Sequence, residues 1–237
     1  MKNVFAVTDN VELFMSLADS LENRRAFMPG LGLVFGEPGL GKSTTANWYC
    51  DQIAVKKGNE RKPIFIRVLA NDTPRKFLAR LVMELGQAPE YSAIDIYLQA
   101  EAILREIPRL LIVDEVEKLM RDWRGIETLR DLTDQTGIPI IMIGEEGVVN
   151  KLARFKRINY RMKAHIMRFK SLSEADLARF AKQVCEVDMD GSAVKQIYEI
   201  TGGRIGDVLP ELYKAEKIAK ANDLKMIKGS HLIRKAA

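Results

Sequence analysis

The eight residues Gly36-Glu37-Pro38-Gly39-Leu40-Gly41-Lys42-Ser43 constrain this chain more than any other stretch, because they fit the pattern G-x-x-x-x-G-K-[ST]. An apolar strand, Gly32 to Phe35, leads into them, and a helical pattern from Lys42 to about Lys57 follows. Glycines in such a loop let the backbone turn its N–H groups inward around phosphate oxygens. The helix behind points its positive N-terminus at the same oxygens. Lys42 is then placed for the β- and γ-phosphates, and the Ser43 hydroxyl for Mg²⁺. Thr44 continues the loop into the helix. ATP bound with Mg²⁺ across Gly36 to Thr44 is the first expectation.

The second signal is the apolar run Leu110-Leu111-Ile112-Val113, which ends in Asp114-Glu115. A buried strand that delivers two carboxylates downstream of a phosphate loop suits hydrolysis. Asp114 would hold Mg²⁺ directly or through water. Glu115 would orient and polarise the attacking water as general base.

Between and around these motifs, short β-rich runs alternate with longer helical ones, which predicts an α/β parallel sheet with crossover helices. A first helix is expected over Val11 to Phe27, on the spacing of Leu13, Phe14, Leu17 and Leu21. Strands are expected over Pro63 to Leu69, Arg109 to Val113 and Ile140 to Ile143. Helices are expected over Pro74 to Leu85, with Thr73 as N-cap and Gly86 as stop, over Ser92 to Glu106, and over Trp123 to Gln135. After Gly144 only helices are expected, apart from a short strand around His165 to Phe169: Glu174 to Glu186, Ser192 to Ile200 and Ile205 to Lys220. Ser171 to Ser173 looks like a hinge, Ser173 with Asp176 resembles an N-terminal cap, and Pro210 should kink or interrupt the last helix. The plan is an ATPase base over residues 1–170 and a small helical lid with a basic tail over residues 171–237.

Composition narrows the partners. No apolar run approaches the ~20 residues of a membrane helix, and Met1 to Asn10 does not read as a signal peptide. A cytoplasmic protein is expected, with no membrane partner. Two cysteines, Cys50 and Cys185, and two histidines, His165 and His231, make neither a disulfide framework nor a zinc site. The formal net charge is +5, but Lys151 to Lys170 carries +8 and Lys214 to Ala237 carries +5, leaving −8 on the remainder. An acidic body with two basic stretches suggests a polyanion such as DNA.

Three further positions could act on the γ-phosphate. Glu145 follows the strand Ile140 to Ile143, where a polar side chain could sense that phosphate. Arg161, with Arg157 and Arg154 as alternatives, could serve a neighbouring subunit's nucleotide as an arginine finger, neutralising charge that develops during transfer. All three could instead contact DNA phosphates. Arg204, after the turn Gly202-Gly203, could reach the γ-phosphate from the lid.

The motif order resembles that of the AAA+ superfamily of P-loop NTPases, a three-layer parallel sheet with a small C-terminal helical lid. Within it, the chain is similar to the branch of the phage Mu B protein, TniB and TnsC of transposons, and ExeA-like ATPases. Three stretches carry the likeness: Gly36 to Thr44; Asn71-Asp72-Thr73-Pro74 through Leu85-Gly86; and Leu111 to Leu119 with Leu129-Arg130-Asp131-Leu132 and Ile138 to Gly144. Many such ATPases place Asn, Thr or Ser where this chain has Glu145. The resemblance implies an ATPase that assembles as a filament or ring on duplex DNA, with little sequence preference. It would select target DNA in transposition and stimulate a transposase, and hydrolysis would promote its release. On that basis Arg75, Lys76, Lys118, Arg121 and Arg124 could face DNA. A replication initiator or helicase loader, an ExeA-like secretion ATPase, and a nucleotide switch without turnover are the alternatives.

Overall fold

A computed structural model describes residues 1–25 and 27–232. Packing divides the chain into two compact units, one of residues 13–37 and 42–168, the other of residues 1–12, 38–41 and 169 onward.

The first unit is built on five parallel strands: β1 (Leu31–Phe35), β2 (Ile64–Arg67), β3 (Leu111–Asp114), β4 (Ile140–Gly144) and β5 (Ile166–Arg168), in the order β2-β3-β4-β1-β5. Strands of a parallel sheet covered on both faces are apolar at nearly every position rather than at alternate ones. That explains the unbroken runs LGLVF, LIVD and IIMIG. On one face Leu31, Leu33, Ile66, Leu111, Val113, Ile140 and Met142 join one core with Phe77, Leu81, Ile96, Leu104, Ile126 and Leu129. Those partners lie on α3 (Pro74–Glu84), α4 (Ala93–Glu106) and α6 (Trp123–Thr136), which flank the short α5 (Val116–Leu119). Toward the other face come α1 (Asp9–Glu22) and α2 (Lys42–Lys57). Leu21 lies so close over Gly32 that a Cβ there would meet its Cδ1 at 2.7 Å. The Phe14 and Tyr49 rings meet edge to face, 5.6 Å apart. Two short helices, α7 (Val148–Leu152) and α8 (Lys156–Met162), lead from β4 to β5.

The second unit packs α9 (Glu174–Val184), α10 (Gly191–Thr201) and α11 (Ile205–Ala221) around Leu177, Phe180, Ile197, Val208 and Leu212. The expectation of helices alone after β5 is corrected here. Asp188–Met189 (β6) and Met226–Ile227 (β7) form a two-stranded parallel pair, followed by the short α12 (Gly229–Leu232). Two-residue strands carry no periodicity to read. Pro210 does not interrupt α11, which runs unbroken across it. Proline removes one N–H from the helix, while Val208, Leu212, Ala215 and Ala219 bury a continuous apolar stripe on either side of it.

Helix α1 stops at Glu22 rather than at Phe27. Arg24 folds back, donating to the carbonyls of Leu21 (2.8 Å) and Gly137 (2.5 Å). It thereby satisfies a helix-end carbonyl that a further turn would otherwise have paired. Ala26 of the expected helix, and residues 233–237 of the basic tail, lie outside the described residues.

Candidate functional site

The carboxyl ends of β1, β3 and β4 lie side by side, with Phe35 opposite Gly144 and Val113 opposite Met142. Open parallel sheets bind ligands at that edge. The sequence-selected Gly36-Glu37, Lys42, Asp114-Glu115 and Glu145 all end or follow one of these strands or open the next helix.

Lys42 begins α2, and its Nζ donates to the carbonyls of Gly36 and Glu37, both at 2.8 Å. Burial lowers its pKa, and the carboxylates of Asp114, Glu117, Glu145 and Glu146 oppose that shift. The ammonium therefore sits in the field of all four acids. Ser43 is half-buried on the first turn of α2 and Thr44 beside it is exposed. Glu37 and Pro38 are exposed, and Leu40 is buried. Gly39 and Gly41 have φ of +80° and +85°, left-handed values that a side chain would strain. The tip, Pro38 to Gly41, belongs to the second unit. There Gly206 N–H donates to Gly39 O at 2.8 Å. A Cβ on Gly206 would stand 3.3 Å from Gly39 Cα, so the first turn of α11 can lie close to this tip because residue 206 is glycine. Arg204 caps that helix, with its half-exposed guanidinium 2.8 Å from Asp207.

Asp114 is buried at the end of β3. Its Oδ1 accepts the Glu115 N–H at 3.0 Å, and its Oδ2 accepts from Arg67 Nε at 3.0 Å. Arg67 was not singled out from the sequence. The signal was its register, since the last residue of β2 lies opposite Asp114. Glu115 turns the chain out of the strand with φ 56° and ψ 43°. Its carboxylate pairs with Lys118 and lies 3.8 Å from Arg67 Nε.

Glu117, in α5, is a second residue the sequence reading passed over. Burial raises its carboxyl pKa, helped by Glu145 and Glu115 and partly offset by the N–H groups of Glu117 and Glu145. Glu145 itself is exposed, and Glu146 pairs with Arg168 at 2.7 Å. Arg161 is committed to Asp134 of α6 through two bonds, Nε to Oδ1 at 2.9 Å and Nη2 to Oδ2 at 2.7 Å. Arg154 and Arg157 are exposed and have no ion pair among the described residues.

These residues fit a magnesium nucleotide. The loop has left-handed glycines and a lysine, a hydroxyl opens the helix, and a buried carboxylate stands at the end of β3, one strand away across β4. Mg²⁺ commonly takes one or two carboxylates and completes its shell with phosphates and water.

Comparison with known proteins agrees with this geometry. The fold is similar to Aeropyrum pernix Orc1, solved in complex with DNA, with TM-score 0.70 and 18% identity over 96% of this chain and 64% of that one. It is also similar to Aeropyrum pernix Orc2, solved as ADPNP–ADP complexes, with TM-score 0.72 and 15% identity over 98% of this chain and 69% of that one. Thermotoga maritima RuvB, a Holliday junction branch migration motor, gives TM-score 0.58 and 15% identity over 94% of this chain and 66% of that one. The chain thus spans a little under two thirds of the length of Orc1. No curated protein matches it. Residues 24–152 match the family described as an AAA domain, more than half of the chain. With its parallel five-stranded sheet and its glycine-rich loop between β1 and α2, the chain belongs to the AAA domain family.

Proposed function

We propose that this protein is an ATP-hydrolysing, DNA-bound AAA+ protein that assembles with copies of itself on duplex DNA with little regard to sequence. The observation that carries the reading is the Asp114-Glu115 pair, set at the strand edge that also carries Gly36, with Lys42 in the field of Asp114. Lys42 binds the β- and γ-phosphates, and Ser43 with Asp114 would hold Mg²⁺, which would neutralise phosphate charge there. Glu115 takes a proton from water as the water oxygen bonds to the γ-phosphorus and the bond to the bridging oxygen breaks. Arg161 acts on a neighbouring protomer's nucleotide, oriented by Asp134, with Arg157 and Arg154 as its alternatives, while Glu145 and Arg204 respond to the γ-phosphate. Assembly is thereby linked to nucleotide state.

DNA binding is supported by cations beyond the ends of β2 and β3. Arg121 donates to Ala70 O at 3.1 Å, Lys76 to Asn71 O at 3.4 Å and Arg75 to Tyr91 O at 2.6 Å. The first of these bonds ties the loop after β2 to the segment after α5, with Lys118 and Arg124 close by in sequence. Contacts of this kind track phosphates rather than read bases. Among DNA-bound roles, target selection for a transposase is supported by the resemblance of Asn71 to Gly86 and Leu111 to Leu119 to the transposition branch. A replication-initiator role is the second reading, favoured by the likeness in fold to Orc1.

The test is DNA binding with ATP, with ADP and without nucleotide, imaged by electron microscopy. Lys42→Ala should abolish ATP-dependent binding. Glu115→Gln should cut turnover by roughly 100-fold or more while trapping the DNA-bound oligomer. Assemblies on arbitrary duplexes favour target selection, and binding confined to particular sequences favours the initiator. DNA binding by both variants equal to wild type without nucleotide overturns the coupling.

A further inference from the structure

Trp123 opens α6, and its indole is 62% exposed. Tryptophan is highly buried on average, so a ring left in water calls for an explanation. The indole makes no hydrogen bond, aromatic contact or cation–π contact among the described residues. The segment that carries it is tied to a set of cations. Arg121, two residues earlier, donates to Ala70 O and so fastens this segment to the loop after β2. Lys76, in the first turn of α3, donates to Asn71 O of the same loop. Arg75 beside it donates to Tyr91 O, and the Tyr91 ring is 94% exposed. These three side chains bond to neutral carbonyls and have no acidic partner among the described residues. Their charges stay uncompensated, unlike those of Lys118 with Glu115 and Arg124 with Asp122. An open aromatic face tied to free cations suits a nucleic-acid strand, whose phosphates meet the cations while a base stacks on the ring. A protein surface would match the ring but leave the three charges to be met by acids of its own.

We propose that Trp123 stacks on a base of the bound DNA, with Arg121, Lys76 and Arg75 on nearby phosphates. Every base has a π face, so the contact adds affinity without reading sequence. Such a face is closed inside a paired duplex. It is open in a single strand, or where a step is kinked or mismatched. The inference rests on the DNA-bound reading above.

Binding with ATP is measured on three labelled DNAs: a paired duplex, the same duplex with a central mismatch, and one of its strands. Trp123→Ala should lose roughly 5- to 100-fold in affinity for the DNA that offers the base, and Trp123→Phe, which keeps a ring, should recover most of it. The slope of log K against log salt should not change in Trp123→Ala, because an indole neutralises no phosphate. Lys76→Ala should flatten that slope by about 0.9 on the duplex. The chain has two tryptophans, Trp48 and Trp123. Intrinsic fluorescence should therefore be quenched by DNA in wild type and much less in Trp123→Phe. Losses confined to the single strand and the mismatched duplex assign an unpaired base, and a loss as large on the paired duplex assigns a kinked step. Wild-type affinity of Trp123→Ala on all three DNAs overturns the proposal. So does a Trp123→Ala protein that fails to assemble without DNA, since the ring would then belong to a contact between protomers. A wild-type protein that binds none of the three DNAs overturns the DNA-bound reading instead, and this inference with it.

Discussion

Glu115 occupies a left-handed backbone conformation that residues other than glycine seldom adopt, and its carboxylate pairs with Lys118 one turn on. The pair holds the base of the proposed reaction on a cation that could equally meet a DNA phosphate. Both side chains are about a third exposed, and pairs of this kind contribute about 0.2–1 kcal/mol. Lys118→Ala is therefore expected to raise ATP turnover without DNA, by at most about fivefold. It should also blunt any stimulation by DNA, because the release that DNA would bring has already happened. Lys118→Arg should behave like wild type in both assays. Unchanged basal turnover in Lys118→Ala would show that the ion pair does not restrain Glu115. Asp114 is the more deeply buried of the two acids, and Arg67 meets its Oδ2.

Among the elements, α9 shows how a local sequence signal becomes stability. Ser173 Oγ accepts the Asp176 N–H at 3.1 Å, and Asp176 Oδ2 accepts the Ser173 N–H at 3.2 Å. Ser173→Ala should destabilise the protein by about 1 kcal/mol at neutral pH, read by urea unfolding. Hydrogen bonds from Ser173, then from Arg179, lower the Asp176 pKa in the folded state. A depressed folded pKa contributes stability above the unfolded value and loses it as pH falls through the folded one. The gap between wild type and variant should therefore narrow in acid, and a gap that widens there would count against the cap. This cap and the one at Thr73 were legible because their residue types and spacing lie within one turn of chain. Helix α2 was legible for the same reason, with the glycine-rich loop fixing its start. The β6–β7 pair and the early end of α1 were not, since each depends on residues distant in sequence: Asp188 with Met226, and Arg24 with Gly137. The site divides in the same way. Lys42, Asp114 and Glu115 stand in contiguous motifs, whereas the pairing of Arg67 with Asp114 and of Arg161 with Asp134 emerges only when strands and helices are laid side by side.

At the scale of the whole molecule, the question is what the basic stretch from Lys151 to Lys170 does. Two of its cations are neutralised within the first unit, Arg161 by Asp134 and Arg168 by Glu146. Lys151, Lys156 and Lys163 are exposed and have no acidic partner among the described residues. If this surface tracks DNA, each phosphate it neutralises releases counterions, and log K falls with log salt by about 0.9 per contact. Replacing Lys151, Lys156 and Lys163 together by alanine should then flatten the slope by up to about 2.7, with kcat of the assembled protein unchanged. Arg161→Ala should do the opposite. It should leave the salt slope alone and lower turnover only where protomers adjoin, because an arginine acting on a neighbour's γ-phosphate matters only after assembly. Fluorescence anisotropy on a labelled duplex across a salt series gives the slope, and turnover measured above and below the assembly concentration gives the second quantity. A triple lysine variant with the wild-type slope would remove this surface from the DNA interface and leave the loops after β2 and α5 to carry it. A dilute Arg161→Ala protein that has already lost its activity would mean that the Arg161–Asp134 pair supports the fold of its own protomer rather than the neighbour's chemistry.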